Sequence, residues 1–152
     1  MAWIEGTEER QFVIKATAEQ VLGYFSNPNE FRDANEDVEL IEDLGDGVFK
    51  FTLQEKNEKG VKYQGIYEVE YAREDEEVNW SSKDGGNMKT KGSVRIVEDR
   101  GDSVEVYYKE TMSPDLPIPK LMARVFQPIV SREVSKGIGA FLDRSKALLE
   151  EK

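Results

Sequence analysis

Apolar residues recur with a period of two through the middle of this chain and every three to four residues at its end. The first apolar segment, Gln11 to Lys15, centres on Phe12, Val13 and Ile14 and predicts a strand that extends back towards Trp3. Thr17 followed by Gln20 has capping-box spacing, so a helix begins at Ala18, with Val21, Leu22 and Phe25 on one face. Ser26-Asn27-Pro28 ends that helix, and Pro28 can open a second short one through Phe31. Helices this short are unstable alone and must dock on a larger element.

From Asp37 onward the period is two. Val38, Leu40 and Leu44 alternate with charge, and Gly45-Asp46-Gly47 turns the chain. Phe49, Phe51 and Leu53 share the next face, and Asn57 to Gly60 turns again. Val61, Tyr63, Gly65, Tyr67, Val69 and Tyr71 have one parity, while Lys62, Gln64, Glu68 and Glu70 take the other. Val78, Trp80 and Ser82 form a short strand. Met88, Thr90, Gly92, Val94 and Ile96 form the next, and Val104, Val106, Tyr108 and Glu110 the last. Six strands in meander order predict a connected antiparallel sheet, and the opening strand makes seven.

Pro114, Pro117 and Pro119 postpone helix until about Pro119. Beyond it Met122, Val125, Phe126, Ile129, Val130, Val134, Ile138, Phe141, Leu142 and Leu149 make one apolar stripe to the chain's end. At ~1.5 Å per residue this helix is on the order of 45 Å long. Pro128 interrupts its hydrogen-bond ladder, which predicts a kink between Arg124 and Pro128. The fold class is therefore α+β: one domain over residues 1–152, in which a seven-stranded curved antiparallel sheet wraps the long C-terminal helix. A sheet with one apolar face must bury it, and only that helix is long enough. Gly65 and Gly92 interrupt the inward faces. They either leave gaps in the core, opening a cavity, or permit the sheet to bend.

The order of elements resembles the START/SRPBCC superfamily, the helix-grip fold of the birch-pollen-allergen group. The resemblance spans nearly the whole chain and is clearest from Phe12 to Val21 and in the helical tail from Pro119. Within the superfamily the sequence is most similar to the polyketide-cyclase/dehydrase-like and carbon-monoxide-dehydrogenase-subunit-G-like groups. Tyr63-Gln64-Gly65-Ile66-Tyr67-Glu68-Val69 resembles a stretch of the latter. The resemblance implies an internal pocket for lipids, polyketides, isoprenoid-like or other apolar molecules, and it carries over no catalytic residue. Co-chaperone members usually have a tryptophan soon after the first helices. Phe31-Arg32-Asp33-Ala34-Asn35 stands there instead, which argues against that role.

Composition narrows the chemistry. The 152 residues include no cysteine and no histidine. A thiol nucleophile, a disulfide, a thiolate metal site and a histidine-based triad are therefore excluded. The histidines of some cyclase members are missing, which speaks against aldol-type cyclisation. Acid–base work falls to Asp, Glu, Lys, Tyr or Arg. The net charge of −10 comes with no basic stripe for nucleic acid and disfavours adsorption to anionic membranes. No signal-like or membrane-spanning segment is present, so the expectation is a cytoplasmic monomer or homodimer without stable membrane insertion, metal or cofactor. Asp33, Glu36 and Asp37 cluster in sequence but lack the spacing of a calcium loop.

The strand parities point Phe49, Phe51, Tyr63, Tyr67, Tyr71, Trp80, Met88, Tyr108 and Glu110 inward, with Met122 and Phe126 facing them from the helix. Aromatic walls with a few polar tips suit a binding pocket for a hydrophobic small molecule; they also suit an ordinary core. Glu110 is the best candidate for an acid–base group. It either closes the stripe inside the protein, where a carboxylate needs partners or a proton, or lies where the strand has emerged into solvent. Two functions follow: noncatalytic binding or carriage, and a cyclase, dehydratase or isomerase using Glu110 with tyrosine hydroxyls. Arg95 has outward parity. Asp115 and Arg124 could gate the pocket or pair at the helix start.

Overall fold

The computed structural model describes residues 2–152. Ala2–Trp3 (β1) and Gly6–Ile14 (β2) form one interrupted edge, both pairing with the same strand. The opening strand thus begins earlier than its apolar centre suggests, because backbone pairing continues past the point where the side chains turn polar. Ala18–Ser26 (α1) and Pro28–Phe31 (α2) follow. The capping box forms as its residues dictate. Thr17 Oγ1 accepts from the Gln20 amide at 3.2 Å, and Gln20 Oε1 accepts from the Thr17 amide at 2.9 Å. Asn27 both ends α1 and caps α2 through Oδ1.

Val38–Gly45 (β3), Val48–Leu53 (β4), Lys56–Glu58 (β5), Val61–Tyr63 (β6), Ile66–Arg73 (β7), Glu77–Ser82 (β8), Met88–Asp99 (β9) and Val104–Leu116 (β10) complete the strands. The main sheet runs β1/β2, β10, β9, β8, β7, β4, β3, all antiparallel neighbours. The β5–β6 hairpin leaves it as a two-stranded flap. The ribbon bends where Leu53 N donates to Gly65 O at 2.8 Å. A Cβ at Gly65 would lie 2.9 Å from Leu53 Cδ1, so a side chain at the bend would have to displace the end of Leu53.

Ala123–Glu150 (α3) lies across the sheet after a single 3₁₀ turn, Lys120–Met122. Pro128 sits inside α3 without ending it, although it cannot donate to the carbonyl of Arg124. Two apolar cores flank this helix. The larger joins Phe25, Phe31, Ile138, Phe141 and Leu142 to the sheet; the smaller joins Ala2, Ile4, Leu116 and Ile118 to Phe126, Ile129 and Val130. Between them the inward positions of α3 carry Val134 and Gly137, which are too small to fill the space.

One strand departs from the alternation of its sequence. On β3, Leu40 and Leu44 are 43% and 50% exposed, and Ile41 is buried instead. A register shift between Val38 and Leu40 inserts one residue, and one residue reverses every later side chain.

Candidate functional site

The unfilled space is a cavity of about 220 Å³ under the middle of α3. It is smaller than the roughly 300–1,000 Å³ of drug-sized pockets and suits a molecule of one or two rings. Rings form most of its wall. Phe51 and Tyr67 stack at 5.5 Å between centroids, Tyr71 and Trp80 lie 5.9 Å apart, and Trp80 and Tyr108 lie 5.4 Å apart. These residues lie on the inward faces of β4, β7, β8 and β10; the first three strands are neighbours, and β9 stands between β8 and β10.

Glu110 lies at the centre of this wall. β10 continues six residues beyond it to Leu116, so the strand has not emerged into solvent there. Gly92 of β9 pairs with Glu110 on one side and Trp80 on the other. The indole lies over Gly92, where a Cβ would come within 2.5 Å of Trp80 Cζ2. Trp80 Nε1 thereby reaches Glu110 Oε2 at 3.0 Å. Thr90 Oγ1 donates to the same oxygen at 2.9 Å, and Tyr108 OH donates to Oε1 at 2.8 Å. The remaining surface of Glu110 faces the cavity. Burial pushes its carboxyl above the usual value of 4.5, while the three donors pull the other way.

Tyr67 and Tyr71 also border the cavity, and among the described residues neither hydroxyl has a hydrogen-bond partner on the protein. Burial, reinforced by the Glu110 carboxylate, raises both phenols and keeps them protonated. Tyr63 is occupied differently: its hydroxyl donates to Asn87 O at 2.5 Å. Asn87 in turn accepts from the Ile66 and Asp115 amides and donates to Gln64 O, fastening the ribbon bend to β10.

Of the residues expected to bind ligand, Phe51, Tyr63, Tyr67, Trp80, Met88, Tyr108, Glu110 and Phe126 line the cavity. Phe49 does not. It has the inward parity but packs edge-on against Tyr71, 5.9 Å away, in the filled core. Met122 does not either. It falls in the 3₁₀ turn before α3, off the helical stripe, and is 40% exposed. The glycines leave no gaps, because Trp80 and Leu53 occupy the space above Gly92 and Gly65. The room comes from Gly137 and Val134 of α3. Thr90 and Met112 also line the cavity, on the same strand faces as Met88 and Glu110; neither was expected to bind ligand.

Asp115 and Arg124 form no ion pair among the described residues; Arg124 is exposed, and Asp115 Oδ1 is buried without a partner. Arg95 is exposed and lies over the Tyr107 ring at 5.1 Å. The Asp33, Glu36 and Asp37 cluster disperses, with Glu36 pairing Arg144 at 3.1 Å and Asp37 pairing Lys56 at 3.2 Å.

Solved structures share this architecture. A START superfamily protein from Mycobacterium smegmatis superposes with a TM-score of 0.71 at 14% identity, over 95% of this chain and 97% of that one. The chain has the START helix-grip fold. A second structure, from Thermus thermophilus, matches with a TM-score of 0.69 at 16% identity, over 94% of this chain and 96% of that one. Norcoclaurine synthase from Thalictrum flavum, in complex with dopamine and hydroxybenzaldehyde, matches with a TM-score of 0.61 at 14% identity, covering 98% and 88% of the two chains. Neither a protein-family model nor a curated protein matches the sequence. No helix among the described residues is long and apolar enough to cross a membrane.

Proposed function

We propose that this protein binds a small, mostly apolar molecule inside the helix grip, with Glu110 as the polar anchor. One observation carries the reading: among the described residues, an aromatic-walled cavity holds one deep carboxylate and two tyrosine hydroxyls with no protein partner. Such a surface offers area for burial and a few directed polar contacts, which is what small-molecule sites provide. The reading takes the chain as one binding domain, as its length allows, in the cytoplasm, where a cysteine-free acidic chain is at home. A neutral fluorescent naphthalene should bind with saturation near one site per chain. Gly137→Leu should remove that binding, since a Cβ there meets only Asp37 Oδ2 at 3.4 Å and the longer side chain enters the cavity. Absence of saturable binding, or binding indifferent to Gly137→Leu, refutes the reading.

A second reading is favoured by the position of Glu110. Burial raises the Glu110 carboxyl above its usual range, the direction that favours a proton-exchanging group of the kind a cyclase, dehydratase or isomerase requires. Norcoclaurine synthase offers a precedent for a synthase on this fold. Under this reading Glu110→Gln abolishes turnover of a bound substrate while leaving binding measurable. Full turnover by that variant eliminates it.

A further inference from the structure

The ionic groups along the cavity are unbalanced. Asp37, Glu58, Glu110 and Glu133 border it, against one cation, Lys56. Four carboxylates and one ammonium leave a formal charge of −3 if all are ionised. Lys56 stands at the mouth and is already paired with Asp37. No lysine or arginine reaches the deep end among the described residues. Glu110 is hydrogen-bonded by Trp80 from β8, Thr90 from β9 and Tyr108 from β10, and its carboxylate acts on the Tyr67 and Tyr71 phenols of β7; Ile138 and Phe141 line the same cavity from α3. Its hydrogen-bond partners are all neutral donors.

The acceptor count is uneven as well. Oε2 receives both Trp80 and Thr90, whereas Oε1 receives Tyr108 alone. A carboxylate oxygen accepts two hydrogen bonds, so Oε1 has one acceptor direction left for a molecule in the cavity. The rings of Phe51, Tyr67, Tyr71, Trp80, Tyr108 and Phe141 line the same cavity. Aromatic faces carry negative quadrupole charge and attract cations, most strongly where water is excluded. A carboxylate ligand would meet repulsion at the mouth and again at the deep end.

We propose that the cavity selects a small organic cation, with a protonated amine seated against Glu110 Oε1 and an apolar body among the rings. The proposal rests on the reading that the cavity is a binding site and adds the class of molecule it takes. It excludes fatty acids and other apolar carboxylates as preferred ligands. Tyr67, Tyr71 and Tyr108 are the titratable groups closest to Glu110. Burial holds all three protonated, so none competes with it as an anion. The bound ammonium supplies the counter-charge that the protein does not.

Three naphthalenes of matched shape test this: 1-naphthylmethylamine, naphthalene-1-methanol and 1-naphthoate, titrated calorimetrically near neutral pH. The amine should bind about tenfold tighter than the alcohol, the difference expected of one charge-assisted hydrogen bond, and the naphthoate should bind weakest. Glu110→Gln should bring the amine to the affinity of the alcohol and leave the alcohol unchanged. Should that variant fail to fold, the ranking in the unaltered protein and its compression at high salt decide the matter alone. Equal affinity for amine and alcohol overturns the cation proposal and leaves the binding reading standing. Binding of none of the three overturns both.

Discussion

Trp80 reaches Glu110 across a strand that places no side chain between them, its Nε1 donating to Oε2 at 3.0 Å over Gly92. The contact depends on that glycine. In Gly92→Ala the new methyl would lie 2.5 Å from the indole and 2.7 Å from the Lys109 carbonyl, and a backbone oxygen cannot swing aside. Overpacking of this kind costs ~1–3 kcal/mol. Urea denaturation should show that loss, with a change in tryptophan emission as Trp80 leaves the carboxylate. Unaltered stability and emission would mean that the strands separate more easily than their pairing indicates.

Glu110 makes stability depend on pH in a particular direction. Its carboxyl in the folded protein titrates above the ordinary 4.5 because it is buried. Between that value and its folded one, the folded state holds more protons than the unfolded state, so its contribution falls as pH rises. The contribution is complete below the unfolded value. Glu110→Gln cannot ionise. The difference in urea midpoint between the parent and this variant should therefore decline through that window and then level off. A difference independent of pH would return Glu110 to an ordinary carboxyl.

Tyr67 distinguishes cavity from core. Among the described residues its hydroxyl has no protein partner, so Tyr67→Phe leaves nothing unpaired. Stability should change by less than about 0.5 kcal/mol. Affinity for a ligand that uses the hydroxyl should fall about two- to tenfold, the worth of one hydrogen bond. A loss of ~1–3 kcal/mol with binding intact would identify a structural hydrogen bond instead.

Phe126 should behave in the opposite way. It is 4% exposed and packs with Ile4, Leu116 and Ile118 in the smaller core. Phe126→Ala should cost ~3–5 kcal/mol in chemical denaturation, because α3 cannot collapse onto the vacated space while the larger core holds its other half. A cost below about 1 kcal/mol would show the smaller core to be loosely packed.

The fold was legible because each signal was local. Thr17 and Gln20 cap one helix, Pro28 opens the next, and the tyrosines of Val61 to Tyr71 keep one parity through the bend at Gly65. The site was partly legible for the same reason, since parity places Trp80, Tyr108 and Glu110 on one face. What parity cannot reveal is an inserted residue, and one at Val38 to Leu40 exchanged Ile41 for Leu40. Nor does it reveal what lies opposite. Phe49 packs against Tyr71 in the filled core, whereas Phe51, stacked on Tyr67, borders the cavity, although both point inward. The cavity itself is a relation between Gly137 and strands distant in sequence, which no periodicity encodes.

β3 has two register shifts, one after Val38 and another between Asp43 and Gly45, and it is one of the two edges of the sheet, β1/β2 being the other. Those shifts break the regular spacing of the amides and carbonyls that an edge presents outward. Leu40 and Leu44 stand exposed there, yet a neighbouring chain would find no continuous backbone rail on which to add a strand. Irregularity at this border thus works against edge-to-edge pairing of β3 with a second copy of the chain.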